Sequence, residues 1–347
     1  MTVRFPASLV PGARIAVTSP SSGVGDRLRP RIEASIASLR ERGYDVVVGE
    51  CMADDLVVSA PKEQRAAELV AFLTDPSVSA VVPPWGGETA IDLVDQVDWD
   101  ALRDVEPTWV VGWSDMCSVL LPLTLRSGWA TLHGWNLADT AYAAPDGLLH
   151  WLDVAGATGD VTQTSPGLTR TGWDDYAADP SVATMTLDRP TRWTALGGGD
   201  AEFSGVLVGG CLEVVSPMSG TPYAEVPAFG REHADAGLVV YLEACELGAY
   251  NVARMLHGLR LAGWFEHANG ILIGRTSAPD DEKMTQHEAV ADALGMLDVP
   301  VVLDADIGHT QPFLPLVNGA LAKVTVRDGV GQVTQQIGPV DERSLAG

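Results

Sequence analysis

The chain of 347 residues contains no run of roughly 18 uninterrupted apolar residues, the length a membrane-spanning helix needs. Cysteine is scarce. Cys51, Cys117, Cys211 and Cys245 are scattered with no Cys-x-x-Cys pair, which argues against zinc ligation by them and for reduced, buried thiols in a reducing compartment. Positive charge is also scarce: 22 Lys and Arg face 46 Asp and Glu, for a net charge of -24. Such a surface repels phosphate backbones and anionic lipid, so neither nucleic acid nor a membrane is an expected partner. The opening residues Met1-Thr2-Val3-Arg4-Phe5-Pro6 lack the apolar core of a secretory signal, and the expected location is the cytoplasm. No internal repeat or low-complexity tract is present.

What is there is enough apolar material, 46% of residues, for two domains or one large α/β domain with additions. The first half alternates strand and helix patterns. Strands are expected at Arg14–Ser19, Asp45–Val48, Val78–Val82 and Thr108–Gly112. Helices are expected at Arg29–Arg42, Lys62–Thr74, Thr89–Val97 and from Cys117 to Ser127. This rhythm predicts a mostly parallel sheet covered by helices on both faces. Periodicity fails between Pro145 and Trp193, a stretch expected to be an interdomain segment lying over the site. Beyond it, Gly205–Val215 reads as a glycine-rich pair of strands. Strands are expected at Gly237–Leu242, Gly270–Gly274 and Val299–Leu303, and helices at Asn251–Leu261 and Gln286–Leu297. Leu321–Val326 and Val330–Ile337 form an expected hairpin about Asp328-Gly329. The expected division is an N-terminal α/β domain over 1–150, an interdomain segment and substrate loop over 151–195, and a C-terminal mixed α+β domain over 196–347.

Ligand sites in open α/β sheets lie beyond the carboxyl ends of strands. Two such ends stand out: Trp85-Gly86-Gly87 and Gly112-Trp113-Ser114-Asp115. A serine on a sharp strand-to-helix turn is exposed for attack, and the backbone N–H that follows it, that of Asp115, can meet a developing oxyanion. Gly86 or Gly87 can offer a second N–H. The competing reading of Ser114 is an ordinary helix cap, and Met116 replaces the second glycine of the hydrolase G-x-S-x-G elbow. A nucleophilic serine needs a base and an acid to orient it. Of seven histidines, His150, His233 and His287 sit in polar, surface-like contexts, while His309 follows a strand in a glycine-bounded loop. Glu243 leaves an apolar strand and needs a partner; Glu246 and Asp306 compete for the acid's role. Asp304, Asp306 and His309 also admit a metal-ligand reading, without supporting spacing.

These residues, taken in order, resemble the LD-carboxypeptidases (peptidase family S66), in particular their microcin C7 immunity (MccF-like) branch. The resemblance runs from Val10–Val17 and Ser19-Pro20-Ser21 through the Gly86-Gly87 turn and the Gly112-Trp113-Ser114-Asp115 segment, where the family usually has Tyr for Trp113. It continues through Gly205–Gly210, Leu242-Glu243, Arg254-Met255-Leu256, Gly308-His309-Thr310 and Leu314-Pro315-Leu316. It implies Ser114 as nucleophile, Glu243 as orienting acid and His309 as general base, with the N–H groups of Asp115 and of Gly86 or Gly87 as oxyanion hole. It further implies a flavodoxin-like parallel sheet followed by a mixed domain with a partly open β-barrel. The triad would be split between the two, in a homodimer that uses neither metal nor organic cofactor.

Two substrate classes follow from the resemblance. One is a peptidoglycan tetrapeptide that loses its terminal D-alanine. The other is an aminoacyl group joined by an amide to a nucleotide-like phosphoramidate or sulfamate. The long 145–193 segment favours the second, because members of that branch carry loop tryptophans that stack on the nucleobase. Trp173 is the best match, Trp193 a second candidate, and packing between domains the alternative for both. Trp85 beside the glycine turn is a further substrate contact. Arg275 is expected either to meet a substrate carboxylate or phosphate, or to form a surface ion pair. A non-catalytic two-lobed ligand-binding protein remains as a reading of the fold that needs no triad.

Overall fold

The computed structural model describes residues 2–52 and 57–338. Its first half winds as β1 (Arg14–Val17), α1 (Arg29–Glu41), β2 (Asp45–Val48), α2 (Lys62–Thr74), β3 (Val78–Val82), β4 (Trp109–Gly112), α3 (Cys117–Pro122) and β5 (Thr131–His133). All five strands run parallel, in the order β5-β4-β3-β1-β2, the flavodoxin-like arrangement. The strands read as near-continuous apolar runs because helices cover both faces. Val110 turns with Ala16 and Val81 into a core shared with Leu69 and Leu73 of α2. Val111 turns the other way, with Ile15 and Val17, toward Ile32 and Ile36 of α1.

Two expected helices are shortened. Thr89–Val97 forms only one tight turn, Ala90–Leu93. The Cys117–Ser127 helix stops at Pro122, whose ring supplies no N–H, and continues as a wider π-type turn over Leu123–Ser127.

The stretch expected to be irregular holds α4 (Trp151–Gly156), β6 (Gly159–Thr164) and the short strands β7 (Leu168–Thr169) and β8 (Arg189–Pro190), and β9 (Thr194–Ala195) follows it. The chain continues through β10 (Ala201–Cys211), α5 (Leu212–Met218), α6 (Val226–Glu232), β11 (Leu238–Glu243), α7 (Ala249–Leu261), β12 (Ala268–Gly274), α8 (Gln286–Leu294) and β13 (Val301–Ala305). It closes with β14 (Leu316–Asn318), β15 (Leu321–Arg327) and β16 (Val330–Ile337). Gly205–Val215 is therefore not a pair of strands. The single strand β10 pairs with β15 on one side and β11 on the other, and α5 follows directly.

The second sheet has eight strands in the order β6-β16-β15-β10-β11-β12-β13-β9. Its central strands β10 to β13 are parallel; the flanking pairs are antiparallel. The sheet curls without closing. Trp193, beside the β9 edge, donates its backbone N–H to Gly329 at 3.0 Å, on the hairpin near the opposite edge. The concave face holds Trp193, Phe203, Leu207, Tyr241, Leu272, Val302 and Val333. The two halves interlock: β14 leaves the C-terminal half and pairs antiparallel with β5 of the first sheet. No helix of the described residues is long and apolar enough to cross a membrane.

Candidate active site

Ser114 follows the end of β4 with φ 61°, in the left-handed region that residues bearing a Cβ seldom enter. Such strain persists only where the surroundings hold it. Here Asn136 Oδ1 accepts the Trp113 N–H at 3.2 Å, and the buried Asp115 carboxylate anchors the other side. Asp115 accepts from Ser21 Oγ at 2.5 Å and from the Ala90 N–H at 2.7 Å. One carboxylate thus ties the Pro20-Ser21 turn and the turn at Ala90, just after Gly86-Gly87, to the Ser114 segment. Gly86 lies against the serine: a Cβ there would stand 2.9 Å from Ser114 Cβ and 3.1 Å from its Oγ. The N–H groups of Gly86 and Gly87 have no acceptor among the described residues. That of Asp115 lies in the first turn of a helix, where backbone N–H groups lack intrahelical acceptors.

The other half of the site comes from the second sheet. Glu243, the last residue of β11, is buried and accepts from His309 Nδ1 at 2.7 Å; His309 Nε2 lies 3.1 Å from Ser114 Oγ. Burial pushes the Glu243 carboxyl up, but the charge and hydrogen bond of His309 hold it below its ordinary range. Burial likewise depresses His309, and the Glu243 carboxylate, aided by Cys245, more than reverses this, raising the imidazole above its ordinary value. The charged pair is stabilised, which is the state a base reaches on taking the serine proton. Trp113 packs on the imidazole with ring centroids 4.4 Å apart and on Phe313 at 4.9 Å, so it holds the ring in place.

The loop that carries His309 is held from beneath by Arg275. This side chain is buried, and its guanidinium pairs with Asp306 and donates to the carbonyls of Thr310 at 3.2 Å and Pro312 at 3.1 Å. The second oxygen of Asp306 accepts from Trp193 Nε1 at 2.8 Å. Arg275, expected at the substrate or in a surface ion pair, is buried, with both of its terminal guanidinium nitrogens engaged by the segment from Asp304 to Pro312 and only its Nε without a partner among the described residues. Trp193 is 1% exposed, so it is a packing residue and not a stacking platform. Asp306, a competitor for the acid's role, is the counter-ion of Arg275. Asp304 pairs with His287 at 3.0 Å, so Asp304, Asp306 and His309 do not converge as metal ligands. His150, expected near the surface, is buried and caps α4, its Nδ1 accepting from the Leu152 N–H at 3.1 Å.

Trp85 and Trp173 stay accessible. Trp85 is 42% exposed beside Gly86 and donates its indole N–H to Gly23 at 2.9 Å. Trp173 is 55% exposed, with the Arg170 guanidinium 4.1 Å from its ring centroid on one face. Arg170 is itself buried and donates its backbone N–H to the Gln311 carbonyl in the histidine loop at 3.1 Å. Sequence reasoning gave no role to Arg170, Asn136 or, beyond its place in the Ser19-Pro20-Ser21 motif, Ser21. Each acts through a partner far away in the chain, and no local pattern marks them.

Comparison with known proteins identifies the family of the chain. Residues 15–134 match the LD-carboxypeptidase N-terminal domain, and residues 204–324 match the LD-carboxypeptidase C-terminal domain. A Streptomyces coelicolor protein assigned as a carboxypeptidase is 31% identical over 93% of this chain and 94% of its own length. The murein tetrapeptide carboxypeptidase of Pseudomonas aeruginosa is 26% identical over 85% of this chain and 88% of its own. In structure, the chain is similar to the microcin C7 self-immunity protein MccF in complex with aspartyl sulfamoyl adenosine. The TM-score is 0.80 at 19% identity, covering 98% of this chain and 100% of that one. The chain belongs to the LD-carboxypeptidase family, S66.

Proposed function

We propose that the chain is a serine amidase that cleaves the amide between an aminoacyl group and a nucleotide-like phosphoramidate or sulfamate. The catalytic part of this reading rests on the hydrogen-bonded series Ser114–His309–Glu243. Ser114 Oγ attacks the carbonyl carbon as His309 Nε2 takes its proton. The buried Glu243 carboxylate stabilises the imidazolium. The N–H groups of Asp115 and of Gly86 or Gly87 receive the oxyanion. His309 then gives the proton to the leaving nitrogen, and water repeats the sequence on the acyl-serine. A non-catalytic binding protein would have no need of a strained serine in contact with a carboxylate-paired imidazole.

The substrate part rests on Trp173. One face of its ring is backed by Arg170 and the residue is exposed, an arrangement suited to stacking on a planar base. MccF, the structural neighbour, holds an aminoacyl sulfamoyl nucleoside. The second reading, removal of the terminal D-alanine from a peptidoglycan tetrapeptide, is favoured by the likeness to the murein tetrapeptide carboxypeptidase and uses the same triad. A homodimer in the reducing cytoplasm completes the proposal, and the four free thiols support the compartment. The test offers the purified protein an aminoacyl sulfamoyl-adenosine and an L,D-tetrapeptide together, with products followed by mass spectrometry. Cleavage of the sulfamoyl compound is expected; cleavage of the tetrapeptide alone would overturn the substrate assignment.

A further inference from the structure

Two of the four cysteines stand at the triad, and the catalytic scheme uses neither. Cys211 is the last residue of β10, paired in register with Glu243 on β11. Its thiol is buried and lies 3.3 Å from Glu213 Oε2. Cys245, two residues beyond Glu243, is half-buried and stands beside His309. Donor atoms of Cys211, Glu243 and His309 lie within 4.8 Å of one another. Glu243 Oε1 is buried and has no hydrogen-bond donor among the described residues.

A thiol, an imidazole and a carboxylate are the donors that zinc and its thiophilic relatives take, with a fourth position left for water or a further thiol. Zinc–donor bonds of about 2.0–2.3 Å require these atoms to close in by less than about an ångström each. The carboxylates of Glu213 and Glu243 make the surroundings favourable to a cation. Glu243 also lines a cavity of about 290 Å³ walled by Leu242, Val252, Leu256 and Ile273.

We propose that Cys211, Glu243 and His309 form an inhibitory site for a thiophilic divalent cation of the zinc class. The cation displaces the proton between His309 Nδ1 and Glu243, which passes to Nε2, or to solvent where Nε2 already bears one. The Cys211 S–H bond is replaced by an S–metal bond, the thiol proton passes to solvent, and the cation loses bound water. His309 coordinated through Nδ1 can keep a proton only on Nε2, so it cannot accept one from Ser114. The inhibitory consequence rests on the triad reading, whereas the binding itself does not.

The test uses the full chain, freed of metal and titrated with cadmium, whose bond to a thiolate gives an ultraviolet charge-transfer band. One cadmium per chain is expected, with the band present in wild type and in Cys51→Ser and absent in Cys211→Ser. His309→Ala and Glu243→Gln are expected to keep the band and weaken binding by about 10–100-fold or more, the loss seen on disturbing metal-site shells elsewhere. A band that survives in Cys211→Ser overturns the site. If that variant does not fold, judged by near-ultraviolet circular dichroism, unchanged affinity in both His309→Ala and Glu243→Gln overturns it instead. Hydrolysis that continues in the cadmium-saturated protein overturns the inhibition. A protein that binds cadmium this way but cleaves neither candidate substrate contradicts the proposed function and leaves the metal site standing.

Discussion

Gly308 lies directly on the carboxylate of Glu243: a Cβ at position 308 would stand 2.3 Å from Glu243 Oε2, and the backbone there has φ +87°. The histidine loop therefore reaches the triad acid only because this residue has no side chain. Gly308→Ala should displace the carboxylate from His309 and add left-handed strain of about 1–3 kcal/mol. A fall in kcat of at least about 10²-fold is expected, in line with the cost of a 1 Å misplacement. Steady-state kinetics with a denaturation curve will separate the two effects, and a kcat close to wild type would show that the contact does not matter.

Arg275 and Asp306 form a buried ion pair under the same loop. Removing one partner leaves an uncompensated buried charge, at a cost of about 3–5 kcal/mol. Arg275→Met should lower stability in urea unfolding by that order and loosen His309. Unaltered stability would mean that the pair contributes little.

In the proposed triad, Glu243 sets the pH at which His309 can act. The base must be neutral to accept a proton, so activity rises with pH through the imidazole pKa. Burial lowers that pKa, and Glu243 more than restores it, so the rising limb of kcat/KM is expected above the ordinary histidine value of about 6.5. Glu243→Gln removes the carboxylate, and the limb should move to lower pH while the rate falls. A limb that stays in place would contradict this electrostatic coupling.

In the proposed function, Trp173 stacks on the base-bearing half of the substrate. Stacking on a base contributes about 1–3 kcal/mol, so Trp173→Ala should raise KM for an aminoacyl sulfamoyl-adenosine by about 5- to 150-fold and leave kcat nearly unchanged. Equal KM values for the two proteins would remove Trp173 from the binding site.

Much of this was legible in the sequence, for physical reasons that particular residues show. Apolar runs such as Trp109–Gly112 read as strands because both faces are buried. Ser114, Glu243 and His309 could be picked out because each sits at the exit of such a run. The 145–193 stretch was not legible. β6 reads Gly-Asp-Val-Thr-Gln-Thr, a mostly polar edge strand that depends on β16, far away in the chain. The burial of Arg275 is not legible for a related reason: an arginine at a strand end looks the same whether it faces solvent or a buried aspartate. The Thr89–Val97 pattern had helical spacing, yet the chain there is pinned by Asp115 to the Ala90 N–H and makes only one turn.

Triad members that work as one unit lose activity as one unit. The most direct test compares kcat of Ser114→Ala with that of the triple variant Ser114→Ala/Glu243→Gln/His309→Ala on whichever substrate the wild type cleaves. The account predicts that both fall by about the same factor, on the order of 10⁴–10⁶, because neither remaining partner has a hydroxyl to activate. Substantial turnover by Ser114→Ala, or a triple variant far slower than the single, would contradict it.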